Sequence, residues 1–505
     1  MARAEPGMTI VRGARVVDPA RRRAEPGDIL IRDGLIAELG PSGMHAPEGA
    51  RVFDAAGLLV HPGLVNAHTH GHGGLSRGQG GRWTLELLLT AAPWITGGGR
   101  TVAENNIAAR ICAAEMALKG VTAAYDLFSQ IPLPTQDGMD AAAEAYAEVG
   151  LRAVIAPMVA DLSFYQAIPG LMDALPDDLR RRVETMRPGD PDACLAAMGT
   201  ILRNWRWASH DIHAAIAPTI PHHCTERFIC GCAKLARDNG VRLHTHLGES
   251  RVQAVAGMRR YGRSLTAQMD AWGVLGPDFT AAHAIWLDGE DMRRLADRGA
   301  SVAHNPVSNM RLGNGVFRFR QMRDMGITIG LGSDGVSSSD SQSVYGAMRA
   351  AFGLSAITTP DPKRWIEAEE AWHAATEGGA AALGIPGIGR IAPGCKADLV
   401  FLDLTHPNWL PHNATVNQLV HVEDGTAVRH VMVGGRQIVR DGKLLTLDLA
   451  KLAAEAETAR ARLEAATGEA KALVARLSDV VSCFCVGLAQ SPYPLRRYAA
   501  DDPTL

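Results

Sequence analysis

Asn66-Ala67-His68-Thr69-His70-Gly71-His72-Gly73 follows an apolar run, Leu58-Leu59-Val60, that Pro62-Gly63 breaks and Leu64-Val65 resumes. This reads as a buried strand whose C-terminal end carries His68 and His70. Successive side chains alternate along a strand, so residues i and i+2 share a face. Both imidazoles can then reach one metal ion. A His-x-His pair alone is a common occurrence. Its weight here comes from the polar residues that end later strand-like runs.

Those runs lie at 63–70, 121–128, 153–159, 212–218, 242–247, 280–286, 301–306 and 328–333. Helix-like stretches separate most of them, among them 103–119, 141–149, 226–239 and 289–298. Repeated β-α units predict a (β/α)8 TIM barrel, in which chemistry sits at the C-terminal strand ends. Residues 8–60 instead alternate short β-rich runs with turns, including Asp33-Gly34, a hairpin signal between apolar runs. A similar pattern returns at 397–402, 428–435 and 437–439. The two ends are expected to meet in one small β-sandwich domain. The expected division is 1–60 and 391–447 for the sandwich, 61–390 for the barrel and 448–505 for an extension. Leucines at helical spacing predict one amphipathic helix over about 448–478, with 486–505 an extended tail.

At 505 residues and 47% apolar content, the chain can bury a sizeable core. A net charge of -3 gives no general attraction to nucleic acid or anionic membrane. No apolar run is expected to reach the roughly 20 residues of a membrane span. The first residues lack the apolar core of a signal peptide. A cytoplasmic protein is therefore expected, with its eight scattered cysteines reduced.

The fifth run ends Leu243-His244-Thr245-His246-Leu247-Gly248-Glu249, and the sixth contains His283. The seventh gives His304-Asn305-Pro306-Val307-Ser308-Asn309, and the eighth ends Gly332-Ser333-Asp334-Gly335. Imidazoles plus one carboxylate, with a position open for water, form the catalytic zinc pattern. His68, His70, a fifth-strand histidine and Asp334 are the expected ligands. Alternation puts His244 and His246 on one face, so spacing does not choose between them. One divalent ion per chain is expected: zinc, although Fe(II) uses the same set.

Taken together, Pro62 to His70, His246-x-x-Glu249, His283, His304-Asn305-Pro306-x-Ser308-Asn309 and Gly332-Ser333-Asp334-Gly335 resemble the amidohydrolase superfamily. The likeness is to its branch of guanine deaminases, triazine hydrolases and S-adenosylhomocysteine and 5′-methylthioadenosine deaminases. It spans about residues 8–445. It implies a mononuclear metal held by His68, His70, His246 and Asp334. The bridging Lys of binuclear members has no match in Ile216 to His223. The resemblance further implies Glu249 as acid and base, His283 at the tetrahedral centre and Asp334 as acceptor of the water's proton. A homodimer is expected by the same analogy.

Residues 72–79, ending in Gln79, match the family's substrate-facing loop. The adenosine branch carries a Glu for ribose hydroxyls farther on, where this chain reads Pro93-Trp94-Ile95-Thr96-Gly97. That difference, with Ala217-Pro218-Thr219 where the adenosine branch has Gly-Pro-His after the fourth strand, predicts a free base (a pterin, an oxidised purine or an aminotriazine) as the heterocyclic substrate. Trp83, Trp94, Tyr165, His222 and His223 are candidates to stack on or bond a flat ring, and Asn309 is a further candidate contact. The competing expectations are a hydrolase displacing chloride or an alkylamine, or opening a cyclic amide, and a non-catalytic scaffold. Retention of Glu249, His283 and all the ligands favours deamination.

Overall fold

The computed structural model describes residues 7–18, 22–92, 99–186 and 188–498. The barrel strands are, in order, Leu64–Thr69, Val121–Ser129, Arg152–Val159, the split pair Ile212–Ala214 and Ala217–Pro218, Leu243–Leu247, Phe279–His283, Ser301–His304 and Thr328–Leu331. The first four strands form one parallel sheet and the last four another. His246 N donates to Thr219 O at 2.9 Å where the fourth strand meets the fifth. Asp334 N donates to His68 O, also at 2.9 Å, and closes the eighth strand onto the first. Closure thus brings together the strand ends that carry the predicted metal ligands.

The surrounding helices begin where the sequence supplies oxygen caps. The side chains of Thr101, Thr225, Ser250 and Asp288 each accept a first-turn backbone N–H. Ser250 directly follows Glu249, so the cap of helix Arg251–Tyr261 fixes the backbone beside that carboxylate.

The two chain ends do meet in one small sheet. Strand Leu58–Pro62 pairs antiparallel with Leu399–Asp403. Asp33 and Gly34 make the two-residue turn between Arg23–Arg32 and Leu35–Gly40, at φ 51° and 80°. One expectation needs correction here. Leu58-Leu59-Val60 belongs to this small sheet, not to the strand that carries His68. The break falls at Gly63, where a Cβ would lie 2.0 Å from Thr122 Oγ1.

The C-terminal extension also differs from expectation. It forms two helices, Leu449–Ala466 and Gly468–Ala489, rather than one ending near 478. The second, 22 residues long, is long and apolar enough to cross a membrane by length and composition, which the run-by-run reading missed. In this fold Leu477, Val481, Cys485 and Leu488 on it pack against Leu171 and Leu179, after the third strand, and Val252 and Val255, after the fifth.

Arg152 joins the barrel to the small sheet. Its Nε and Nη2 donate to the Asp398 carboxylate at 2.8 and 2.9 Å. The two side chains are only 6% and 1% exposed. Arg152→Ala is expected to cost about 3–5 kcal/mol, because Asp398 stays buried without its cation. Urea denaturation measures this; a loss under about 1 kcal/mol would mean that water solvates Asp398 once the arginine is gone.

Candidate active site

The first strand presents His68, and His70 stands just past its end. The turn after His70 is fixed from the second strand. Asp126 accepts from Gly71 N at 2.8 Å and from the Tyr146 hydroxyl at 2.9 Å. A Cβ at position 71 would lie 2.3 Å from the Asp126 carboxylate, so the turn requires glycine. Asn66 Nδ2 donates to Ser333 Oγ at 2.7 Å and ties the first strand to the eighth just before Asp334.

Two of the histidines are set in one tautomer. His70 Nδ1 lies 2.8 Å from Leu127 O and His246 Nδ1 lies 2.6 Å from Thr219 O. A carbonyl only accepts, so each Nδ1 carries the proton and each Nε2 keeps its lone pair. Those two Nε2 atoms face each other at 3.1 Å. Two lone pairs at that separation repel unless a cation lies near both. Asp334 Oδ1 is 3.2 Å from His70 Nε2 and 3.6 Å from His68 Nε2. His68 is fully buried, and neither of its ring nitrogens has a hydrogen-bond partner among the described residues. Ligand atoms of His68, His70 and Asp334, and of His68, His246 and His283, each lie within 4.8 Å of one another. Orphaned lone pairs converging on a carboxylate fit a divalent cation. The structure thus brings the four predicted ligands together and adds His283 at their edge. His244 joins neither group; its ring packs edge-on to Tyr125 at 4.5 Å.

For His68 and His246 the electrostatics agree with ligand duty, whereas the His70 imidazole is raised, against burial, by the Asp334 carboxylate it faces. Burial pushes the His68 imidazole down to about 3 and His246 well below its usual range, so both stay neutral. Burial works against the Asp334 carboxylate, but the imidazoles of His68 and His70 facing it hold it well below the ordinary value. Ser308 Oγ donates to Asp334 Oδ2 at 2.6 Å and Gly335 N donates to Oδ1 at 2.7 Å. Asp334 and His283 both sit in left-handed backbone, at φ 61° and 69°, strain of the kind that collects at functional sites.

Beside this cluster stand Glu249 and His283. Glu249 Oε1 accepts from Asn314 Nδ2 at 2.9 Å. Glu249 Oε2 is buried, has no hydrogen-bond partner among the described residues, and lies 3.6 Å from His283 Nε2. Burial, then the charges of Asp334 and Glu86, push the Glu249 carboxyl well above its usual range. A carboxyl so placed can hold a proton at neutral pH. His283 Nδ1 lies 2.8 Å from Asn309 Oδ1, an acceptor, so its Nε2 also faces the site unprotonated.

The predicted substrate contacts fare unevenly. The Asn309 side chain bonds His283 Nδ1 and lies 3.4 Å from His304 Nδ1, so in this structure it props His283. Gln79 is half-buried in the turn after the short helix Gly71–Ser76. His222 and His223 are buried on the turn Pro221–His223, their rings edge-on at 4.7 Å. Trp94 lies outside the described residues.

The sequence reading passed over Asp126, Ser308, Asn314 and Glu86. Glu86 is the lone carboxylate of the apolar helix Leu85–Ala92; it is buried and accepts from Ser250 Oγ at 2.7 Å. It lines a cavity of about 650 Å³ together with Ser250, Asn314, Leu312 and, from the C-terminal helix, Cys485 and Ala489. A single acid in an apolar helix was the available signal for Glu86. A single amide in the glycine turn Leu312-Gly313-Asn314-Gly315 was the signal for Asn314.

Comparison with known proteins adds to this geometry. Residues 59–438 match the model of the amidohydrolase family. The chain is 29% identical over 459 residues to a 5′-deoxyadenosine deaminase of Methanosarcina mazei, covering 90% of this chain and 98% of that protein. It is 32% identical over 447 residues to a 5-methylthioadenosine/S-adenosylhomocysteine deaminase of Nitratidesulfovibrio vulgaris, covering 88% of this chain and 94% of the relative. An adenosine deaminase from Xanthomonas campestris with bound zinc superposes with a TM-score of 0.80 at 25% identity, over 91% of this chain and 99% of that one. An atrazine chlorohydrolase from Arthrobacter aurescens complexed with zinc shares the fold, with a TM-score of 0.78 at 24% identity over 90% of this chain and 100% of its own. The protein belongs to the amidohydrolase family and is a hydrolase of carbon–nitrogen bonds.

Proposed function

We propose that this hydrolase removes the exocyclic amino group of an adenine nucleoside altered at its 5′ position. The observation that carries the deaminase reading is Glu249 Oε2: buried, unpartnered, and 3.6 Å from His283 Nε2 beside the ligand cluster. A ring carbon bearing an amino group is a poor electrophile until the neighbouring ring nitrogen is protonated. Glu249, whose burial favours the protonated acid, gives its proton to that nitrogen. A divalent cation held by His68, His70, His246 and Asp334 supplies, when bound, a water that ionises near neutral pH. Asp334 takes the proton released as the water oxygen bonds to the ring carbon. His283 Nε2, fixed by Asn309, takes up the new hydroxyl's hydrogen bond. Asp334 returns its proton to the amino nitrogen, the carbon–nitrogen bond breaks, and the hydroxyl proton passes by way of His283 Nε2 to the Glu249 carboxylate, giving ammonia and the keto form.

The substrate reading replaces the free base expected from the sequence. That expectation rested on the lack of a carboxylate at 93–97, but Glu86 provides a buried one in the cavity wall beside Ser250. Ribose hydroxyls would donate to it. The three deaminases described above, named for adenosine or its 5′-modified derivatives, support the same reading.

Ammonia release from 5′-deoxyadenosine, methylthioadenosine, S-adenosylhomocysteine, adenosine, adenine, guanine and a pterin tests the proposal, with metal content measured on the same sample. Release from a nucleoside, with about one zinc per chain, is the expected result. Release from free bases alone would overturn the nucleoside assignment. Metal-loaded protein releasing no ammonia from any of them would overturn deamination.

A further inference from the structure

The family match ends at residue 438, and the chain continues well past it. After helix Gly468–Ala489 the backbone crosses back over the mouth of the barrel. Arg251 Nη2 donates to Ser491 O at 3.3 Å. Tyr493 and Leu495 pack against Ile285 and Trp286. Arg497 is then buried, 8% exposed, between two loops. Its Nε donates to Ile285 O at 2.8 Å and its Nη2 to Leu287 O at 2.6 Å. Its own carbonyl accepts from Val316 N at 2.7 Å.

Both loops belong to the acid–base pair. Residues 285–287 directly follow His283 and Ala284, which hold left-handed backbone at φ 69° and 49°. Trp286 Nε1 donates to Asn314 O at 2.7 Å, and Asn314 Nδ2 holds Glu249 Oε1. Two strained residues in succession persist only where their surroundings over-determine them. Ala284 N donates to Leu247 O at 2.9 Å, and Ile285 N and Trp286 N donate to Gly248 O at 3.0 and 2.8 Å. The rigid guanidinium fork, spanning two carbonyls of one loop and tied through its backbone to the other, adds to that constraint from the outer side.

We propose that residues 491–498, through Arg497, form a strap that positions His283 and Glu249, so that turnover depends on this segment beyond the family match. The roles of His283 and Glu249 rest on the deaminase reading above. Arg497 touches neither of them and is a positioning residue.

The test uses full-length, metal-loaded protein carrying Arg497→Ala or Arg497→Lys, with Arg496→Ala as the control. Arg497→Ala is expected to lower kcat by about 100-fold, the scale of a displacement of roughly 1 Å at reacting groups. KM and metal content should stay near wild type, and millimolar guanidinium should restore part of kcat. The lysine, which keeps the charge but lacks the fork, should lose kcat in the same manner; it carries the test if the alanine variant fails to fold. Arg496→Ala should match wild type. Unchanged kcat in the Arg497 variants overturns the strap. So does a loss in which KM rises, metal content falls and guanidinium restores nothing. Hydrogen exchange separates this from the substrate reading. Amides of 284–287 and 314–316 should exchange faster in the variants even if no substrate of the panel is turned over, and unchanged exchange overturns the strap on its own.

Discussion

Glu249→Gln should keep its metal and its fold while losing about 10²–10⁴ of turnover, the usual contribution of a positioned acid–base group. The substitution is close to isosteric. The glutamine oxygen can still accept from Asn314 Nδ2, which now lies 2.9 Å from Glu249 Oε1. The glutamine amide would then face His283 Nε2, a lone pair it can donate to. What disappears is the ability to hold a proton at Oε2 and return it. The loss should therefore fall on kcat, with KM changed little, because the shape of the pocket is preserved. Metal content should match wild type, since Glu249 belongs to neither convergent ligand group. Steady-state ammonia release with metal analysis on the same preparation reads both quantities. Turnover at the wild-type level would remove Glu249 from the mechanism. Loss of metal together with turnover would make it a structural support for the ligand cluster.

The placement of Glu249 was legible because a strand end has few options. A period of two fixes which residues share a face, and the barrel fixes which end carries chemistry. The same logic put His68, His70, His283, Asp334 and a fifth-strand histidine at strand ends before any coordinates, and only the family resemblance chose His246 over His244. It does not reach where identity does not report direction. Asn309 lies in a polar motif, yet only its side-chain course shows that it props His283. Leu58-Leu59-Val60 is equally apolar in either sheet, so the run itself did not show where the small sheet ends and the barrel strand begins. The expected C-terminal helix was cut short because Val480 and Val481 are weak helix formers whose packing against Leu171, Leu179, Val252 and Val255 outweighs propensity. The carboxylate sought at 93–97 was not sought earlier in the chain, where Glu86 is buried on an otherwise apolar helix; under the nucleoside proposal it is the group that ribose hydroxyls would meet.

Asp334 allows the sharpest separation of holding metal from moving protons. Asp334→Asn is the informative substitution, because asparagine tolerates the left-handed backbone that Asp334 occupies at φ 61°. Its side-chain oxygen can still accept from Gly335 N, so the loop should survive. The negative charge facing His68 and His70 is lost, and one nitrogen replaces an oxygen opposite them or opposite Ser308. Metal affinity should fall by at least the 10–100-fold that outer supports of metal ligands typically contribute. Turnover at trace metal should fall by about three orders of magnitude, equivalent to roughly 4 kcal/mol of barrier. Excess zinc then discriminates. If Asp334 both binds the cation and accepts the water's proton, saturating zinc should refill the site yet leave kcat depressed. Full recovery of kcat would confine Asp334 to binding. Normal metal content with normal turnover at trace zinc would remove it from both roles, leaving His68, His70 and His246 as the only candidate holders among the predicted ligands.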